Sequence, residues 1–236
     1  MRPRHFLTAL LLTLTLLLAQ APDPLPEGLR LLDEGRTTLD ESSLNSASDY
    51  FSKLTQKDSG NAVYWYELAR AHRYLIETYT NRNDKKSAER ALDDAIAAVE
   101  HSISLDEKSA DAHSLLADLY GRKIGLGIFF GGPRFGPKIS DENKRALALD
   151  ANNPRVHASL GREYLMAPSL FGGDIEKAVD EFHAAIKLDP NFDEAYVWLA
   201  IACRKHEDKT CADKAIQDAL RLNPRSAFAK YIAAQK

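Results

Sequence analysis

At 236 residues, with 44% hydrophobic and 28% charged residues, the chain has the make-up of a soluble globular protein that can bury a core. A formal net charge of −3 supplies no bulk attraction for nucleic acid, so no nucleic-acid partner is expected.

The amino terminus has a character of its own. Met1-Arg2-Pro3-Arg4-His5 is basic, Phe6 to Leu18 is an uncharged apolar run broken only by threonines, and Ala19-Gln20-Ala21 has the small-x-small form that signal peptidase reads. The run falls short of the roughly 18 apolar residues that a membrane span requires. Residues 1–21 are therefore expected to be a secretory signal peptide, and residues 22–27 a proline-rich exit. Pro22 is a poor residue directly after a cut, so cleavage after Ala19 is the other candidate. No cysteine stands near the site for lipid attachment. The expected location is the periplasm or the exterior, with no membrane insertion after cleavage.

Beyond residue 28 the chain is periodic. Leu188-Asp189-Pro190 recurs as Leu222-Asn223-Pro224, 34 residues from proline to proline, with Tyr196, Leu199, Ala200, Ala212, Ile216 and Ala219 between them. Two antiparallel helices approach closely only where small residues face each other, here Ala200 and Ala212. This unit resembles the tetratricopeptide repeat, and the pattern fits four more times: around Gly35 and Ala47; Trp65, Leu68 and Ala69; His113, Leu116 and Ala117; and His157, Leu160 and Gly161. The expected repeats are 28–61, 62–109, 110–153, 154–192 and 193–226, with a capping helix over 227–236, all in one domain. The resemblance implies an all-α fold, an α-solenoid of about five helix hairpins in a right-handed superhelix whose concave face carries the first (A) helix of each pair.

Three segments depart from the repeat. Thr80 to Lys86 is a polar turn between lengthened helices. Gly121 to Lys138 holds half of the chain's 12 glycines with Phe129, Phe130 and Phe135, and is expected to be an ordered loop, neither helix nor flexible linker. Those phenylalanines either plug the solenoid locally or form a lip over a ligand groove. In the fourth repeat Pro168 should end helix A and Asp174 should cap helix B. The run Pro168-Ser169-Leu170-Phe171-Gly172-Gly173-Asp174-Ile175-Glu176-Lys177-Ala178 resembles a segment of exported bacterial tetratricopeptide proteins, among them the periplasmic TatT-like partners of TRAP-type solute transporters. That resemblance implies a groove for an apolar ligand and docking onto a solute-binding protein.

Candidate site residues follow from the faces of these helices. Cys203 and Cys211 flank the last A–B turn, where a disulfide is geometrically allowed and two ordinary small core residues are the alternative. His113 and His157 take equivalent places in adjacent repeats and lack carboxylates at metal spacing, so no metal is expected. One face of the A helices carries Arg70, Arg73, Arg122, Arg155, Arg162 and Arg204 against Asp111, Asp118 and Glu194. Guanidinium forks suit carboxylates and phosphates. The alternative is a solvated face paired along its own helices. No nucleophile–base constellation, phosphate loop or cofactor motif occurs, so neither catalysis nor a cofactor is expected. The reading is an exported adaptor that binds a protein or peptide through the concave arginines and the Gly/Phe segment; the alternative is a carrier of a small apolar ligand.

Overall fold

The computed structural model describes residues 23–127 and 131–235. The leader-like residues 1–21, Phe129 and Phe130 lie outside the described residues. Among those described, ten α-helices pair in chain order: α1 (Leu25–Thr38) with α2 (Glu41–Lys57), α3 (Ala62–Asn81) with α4 (Lys85–Leu105), α5 (Ala110–Gly125) with α6 (Gly131–Leu149), α7 (Pro154–Met166) with α8 (Ile175–Leu188), and α9 (Asp193–Lys205) with α10 (Lys209–Leu222). A short α11 (Ala227–Ala234) covers the end. The fold is an α-solenoid of helix hairpins.

The chain writes its helix boundaries in short polar residues. Asp40, Asn61, Asp84, Ser109, Asn153, Asp174, Asp208 and Ser226 each accept a backbone N–H from the first turn that follows. Helix α1 begins inside the segment expected to be a proline-rich exit, because a proline in the first turn forfeits only an N–H that has no helical partner.

The junctions between repeats share one device. In four successive A helices a ring donates to the backbone carbonyl six residues earlier: Trp65 Nε1 to Ser59 (2.9 Å), His113 Nε2 to Glu107 (3.1 Å), His157 Nε2 to Ala151 (2.9 Å) and Tyr196 Oη to Pro190 (3.2 Å). Each ring is thereby pinned over the preceding turn. The other ring nitrogens of His113 and His157 lie 2.5 and 2.6 Å from Glu142 and Glu181 on the B helices.

Between helices of a pair, close approach replaces bulk. A Cβ on Gly161 would stand 2.7 Å from the Phe182 ring, so a glycine there lets α8 set its phenylalanine against the α7 backbone. Buried apolar residues form one large cluster through α1–α6 and a second through α7–α11. A small cluster of Ala110, Ala146, Val156 and Leu160 joins the third repeat to the fourth.

The Gly/Phe segment differs from expectation. It is mostly helix: α5 continues through Gly125 and α6 starts at Gly131, running through Pro133, Phe135 and Pro137. Pro133 stands in the first turn, where a proline costs little, whereas Pro137 lies inside the helix and forfeits a backbone hydrogen bond; packing offsets that loss and the weak propensity of the glycines. Phe135 is buried and stacks on Tyr120 with ring centroids 5.5 Å apart. The fourth-repeat insertion does stay a loop, with a 3-10 turn at Ser169–Phe171. Gly172 takes φ +91°, and a Cβ on Gly173 would collide with the Ala167 carbonyl oxygen at 1.9 Å. This tight support leaves Met166, Leu170 and Phe171 at 70%, 85% and 73% exposure.

Candidate functional site

The stack curves until its ends meet. Arg36 on α1 donates from Nη1 to Asp193 Oδ1 on α9 at 3.0 Å, across 157 residues of sequence. Asn223, just past α10, donates to Asp193 Oδ2 at 2.7 Å and reaches Thr37 Oγ1 at 3.4 Å. The concave face is therefore the wall of a closed ring around a central cavity of about 320 Å³.

The wall has a simple register. In the first four A helices the residue after the packed small residue points inward: Arg36 after Gly35, Arg70 after Ala69, Asp118 after Ala117 and Arg162 after Gly161. Positions one and two turns earlier add Leu32, Tyr66, Asp111 and Arg155, and the start of α9 adds Asp193 and Glu194. Helix periodicity delivers one inward stripe from each of the first four repeats, and the start of α9 completes the lining.

Most of that lining is already paired. Asp118 is the hub, with Arg122 Nε at 3.0 Å, Arg162 Nε at 3.0 Å and Arg73 Nε at 3.4 Å. Burial alone would raise its carboxyl, but the guanidiniums of Arg122, Arg162 and Arg73 hold it well below the usual carboxylate range. Glu194 is the second hub. It accepts from Tyr74 Oη at 2.6 Å and sits 3.3 Å from Arg73 Nη2. Burial works against its charge too, yet Arg73, Arg36 and the Tyr74 hydroxyl bring it down to about 2. Arg162 shows the reverse strain. Burial lowers it, and Asp118 offsets only part of that because Arg73 and Arg122 stand beside it.

The sequence-derived arginines thus separate into groups. Arg73 and Arg162 are held in the wall by carboxylates, and Arg122 braces Asp118 from behind. Arg70 pairs with Glu67 at 2.7 Å through Nη1 and presents the rest of its guanidinium to the cavity. Arg155 is the freest, about half exposed and 3.8 Å from Asp111. Arg204 leaves the ring lining and donates to the Ile232 carbonyl at 2.8 Å, tying down the cap. The expected basic surplus is absent from the lining: five arginines meet five aspartates and Glu194. A helix-by-helix reading passes over Glu67, a same-helix partner of Arg70, and cannot supply Arg36 and Asp193, which meet from the first and last repeats. Cys203 and Cys211 form a disulfide with Cα atoms 5.8 Å apart, bracing the last A–B turn.

Fold and site together define a closed helical-repeat protein with a charged central cavity. Residues 31–230 match the family described as regulator of microtubule dynamics protein 1-3, and the chain belongs to that family. No curated protein sequence matches it. Among solved structures it is similar to TTC0263, a thermophilic TPR protein of Thermus thermophilus, at 16% identity and TM-score 0.66, over 89% of this chain and 96% of that one. It is also similar to the HusA haemophore of Porphyromonas gingivalis, at 15% identity and TM-score 0.66, over 79% of this chain and 96% of that one. At such identities the likeness is one of fold.

Proposed function

We propose that this chain is a non-catalytic adaptor that takes a short extended segment of a partner protein into its ring. The observation that carries the reading is the central cavity. It draws side chains from A helices of all five repeats, and its size sits at the low end of pockets that enclose a ligand, roughly 300–1,000 Å³. Arg70 and Arg155 keep guanidinium edges toward it, which suits acceptor-rich groups such as peptide carbonyls and acidic side chains. The family description names microtubule dynamics, a role exerted on another protein, which accords with an adaptor. Export rests on the leader-like pattern of residues 1–21, and the Cys203–Cys211 bridge suits an oxidising compartment such as the periplasm.

The small-ligand reading, with its TatT-like role, needs apolar room beneath residues 124–136. Phe135 and Tyr120 fill part of that region against each other, which leaves the peptide reading ahead. The test is direct binding of the purified full chain to immobilised acidic, basic and neutral peptides, beside the Arg155→Glu variant. Retention of one class, lost in the variant, supports the adaptor. Retention of none, or binding unchanged in Arg155→Glu, overturns it.

A further inference from the structure

We infer that the ring is a two-jaw clamp that opens at the contact between its first and last repeats, and that an extended partner segment enters there. This deepens the adaptor reading and rests on it for the identity of the cargo. Among the described residues the buried apolar clusters follow chain order, one through α1–α6 and one through α7–α11, and neither crosses the place where the ring closes. Those clusters make two rigid jaws. They are joined by the apolar contact of Ala110, Ala146, Val156 and Leu160 and by polar ties: Ser159 Oγ donates to the Ser114 carbonyl at 3.2 Å, Asn153 Nδ2 to Asp111 Oδ1 at 3.1 Å, and Arg162 Nε lies 3.0 Å from Asp118. This junction keeps its ties while the jaws part, so it is the hinge about which they turn.

The closing contact is of another kind. On one jaw stand Arg36, Arg73 and Tyr74; on the other, Asp193, Glu194 and Asn223. The ties between these residues are hydrogen bonds and ion pairs, and α11 touches α1 beside them. Opening returns both charge sets to water, and the recovered hydration offsets much of the lost attraction. The closing contact is therefore a bistable latch in a way that an apolar interface is not.

The latch residues also break the repeat at their own positions. Where Asp193 stands, the equivalent helix starts carry Ala62, Ala110 and Pro154. Where Asn223 stands, the other turns carry Asp58, Asp106, Asp150 and Asp189. An aspartate at 223 would set a second carboxylate against Asp193; the asparagine donates to it instead. Two departures from the repeat meet at one contact, and both serve closure. The open state gives an extended segment a side entrance, and reclosure surrounds it. A folded domain is too large to be enclosed.

The experiment reads the jaws without any cargo. Nitroxide labels placed through Arg30→Cys and Lys214→Cys, on exposed positions of α1 and α10, report the distance across the latch in the full chain with its native disulfide formed. A single short distance is expected at low salt. A second, longer population should grow in 1 M NaCl, where screening acts within about 3 Å. Asp193→Asn should raise the open fraction about tenfold at low salt, as loss of a charge-assisted hydrogen bond implies. One unchanged distance in both salts overturns the clamp, even if the variant fails to fold. Jaws that move while no peptide class binds would retain the clamp and remove the adaptor reading.

Discussion

Neighbouring repeats and the two ends of the ring are held by opposite materials. Between neighbours a continuous set of buried alanine, leucine, valine and phenylalanine side chains carries the contact, with the Asp118 ion pairs to Arg73 and Arg162 laid over it. Between the ends they are arginine, aspartate, glutamate and asparagine, drawn from residues up to 186 apart. The first kind depends on shape and survives salt and pH. The second depends on charge, so solution conditions can loosen the ring while the hairpins persist.

Removing the apolar side gives the largest effect. Phe182→Ala empties the space against Gly161 between α7 and α8, and should cost about 3–5 kcal/mol in urea unfolding. Acid attacks the other side. Glu194 falls from 4.5 in the unfolded chain to about 2 in the ring, so its contribution is full above pH 4.5 and disappears as the pH falls toward 2. That loss is on the order of 3 kcal/mol, and small-angle scattering should show expansion in acid while circular dichroism still reports helix. Glu67, raised by burial, moves in the opposite sense and softens the effect. Reducing the Cys203–Cys211 bridge, which spans a sequence separation of 8, should lower stability by about 2–3 kcal/mol and leave the latch distance unchanged. Smallest of all, Leu170→Ser with Phe171→Ser should change stability by no more than about 0.5 kcal/mol, because both side chains are already in water.

Much of the fold could be read directly from the chain. Facing small residues, recurring Leu-Asp-Pro turns and short polar caps are local signals, and a helical repeat is assembled from local contacts. The cavity wall was partly legible too, since Arg70, Asp118 and Arg162 follow the small residue that marks each A helix. What escaped was long-range. Nothing near Arg36 in sequence points to Asp193, whereas Glu67 and Glu77 are same-helix partners of Arg70 and Arg73 that local spacing could have supplied. The segment around Gly131 and Pro133 misled because its composition argues for a loop, whereas burial of Phe135 against Tyr120 favours a helix that propensity alone would not predict.

The pinned rings at the repeat junctions have a consequence for the whole outline. Each of Trp65, His113, His157 and Tyr196 fixes the angle between one repeat and the next, and the ring closes only if those angles add up correctly. The arrangement behaves like an arch, in which a misalignment at one stone is magnified at the far end. Along a lever of about 30 Å, the length of a 20-residue helix, a turn of about 5° displaces the tip by about 2.6 Å. That is close to the span of a hydrogen bond, so a single junction ring, far from the latch, can decide whether Arg36 reaches Asp193.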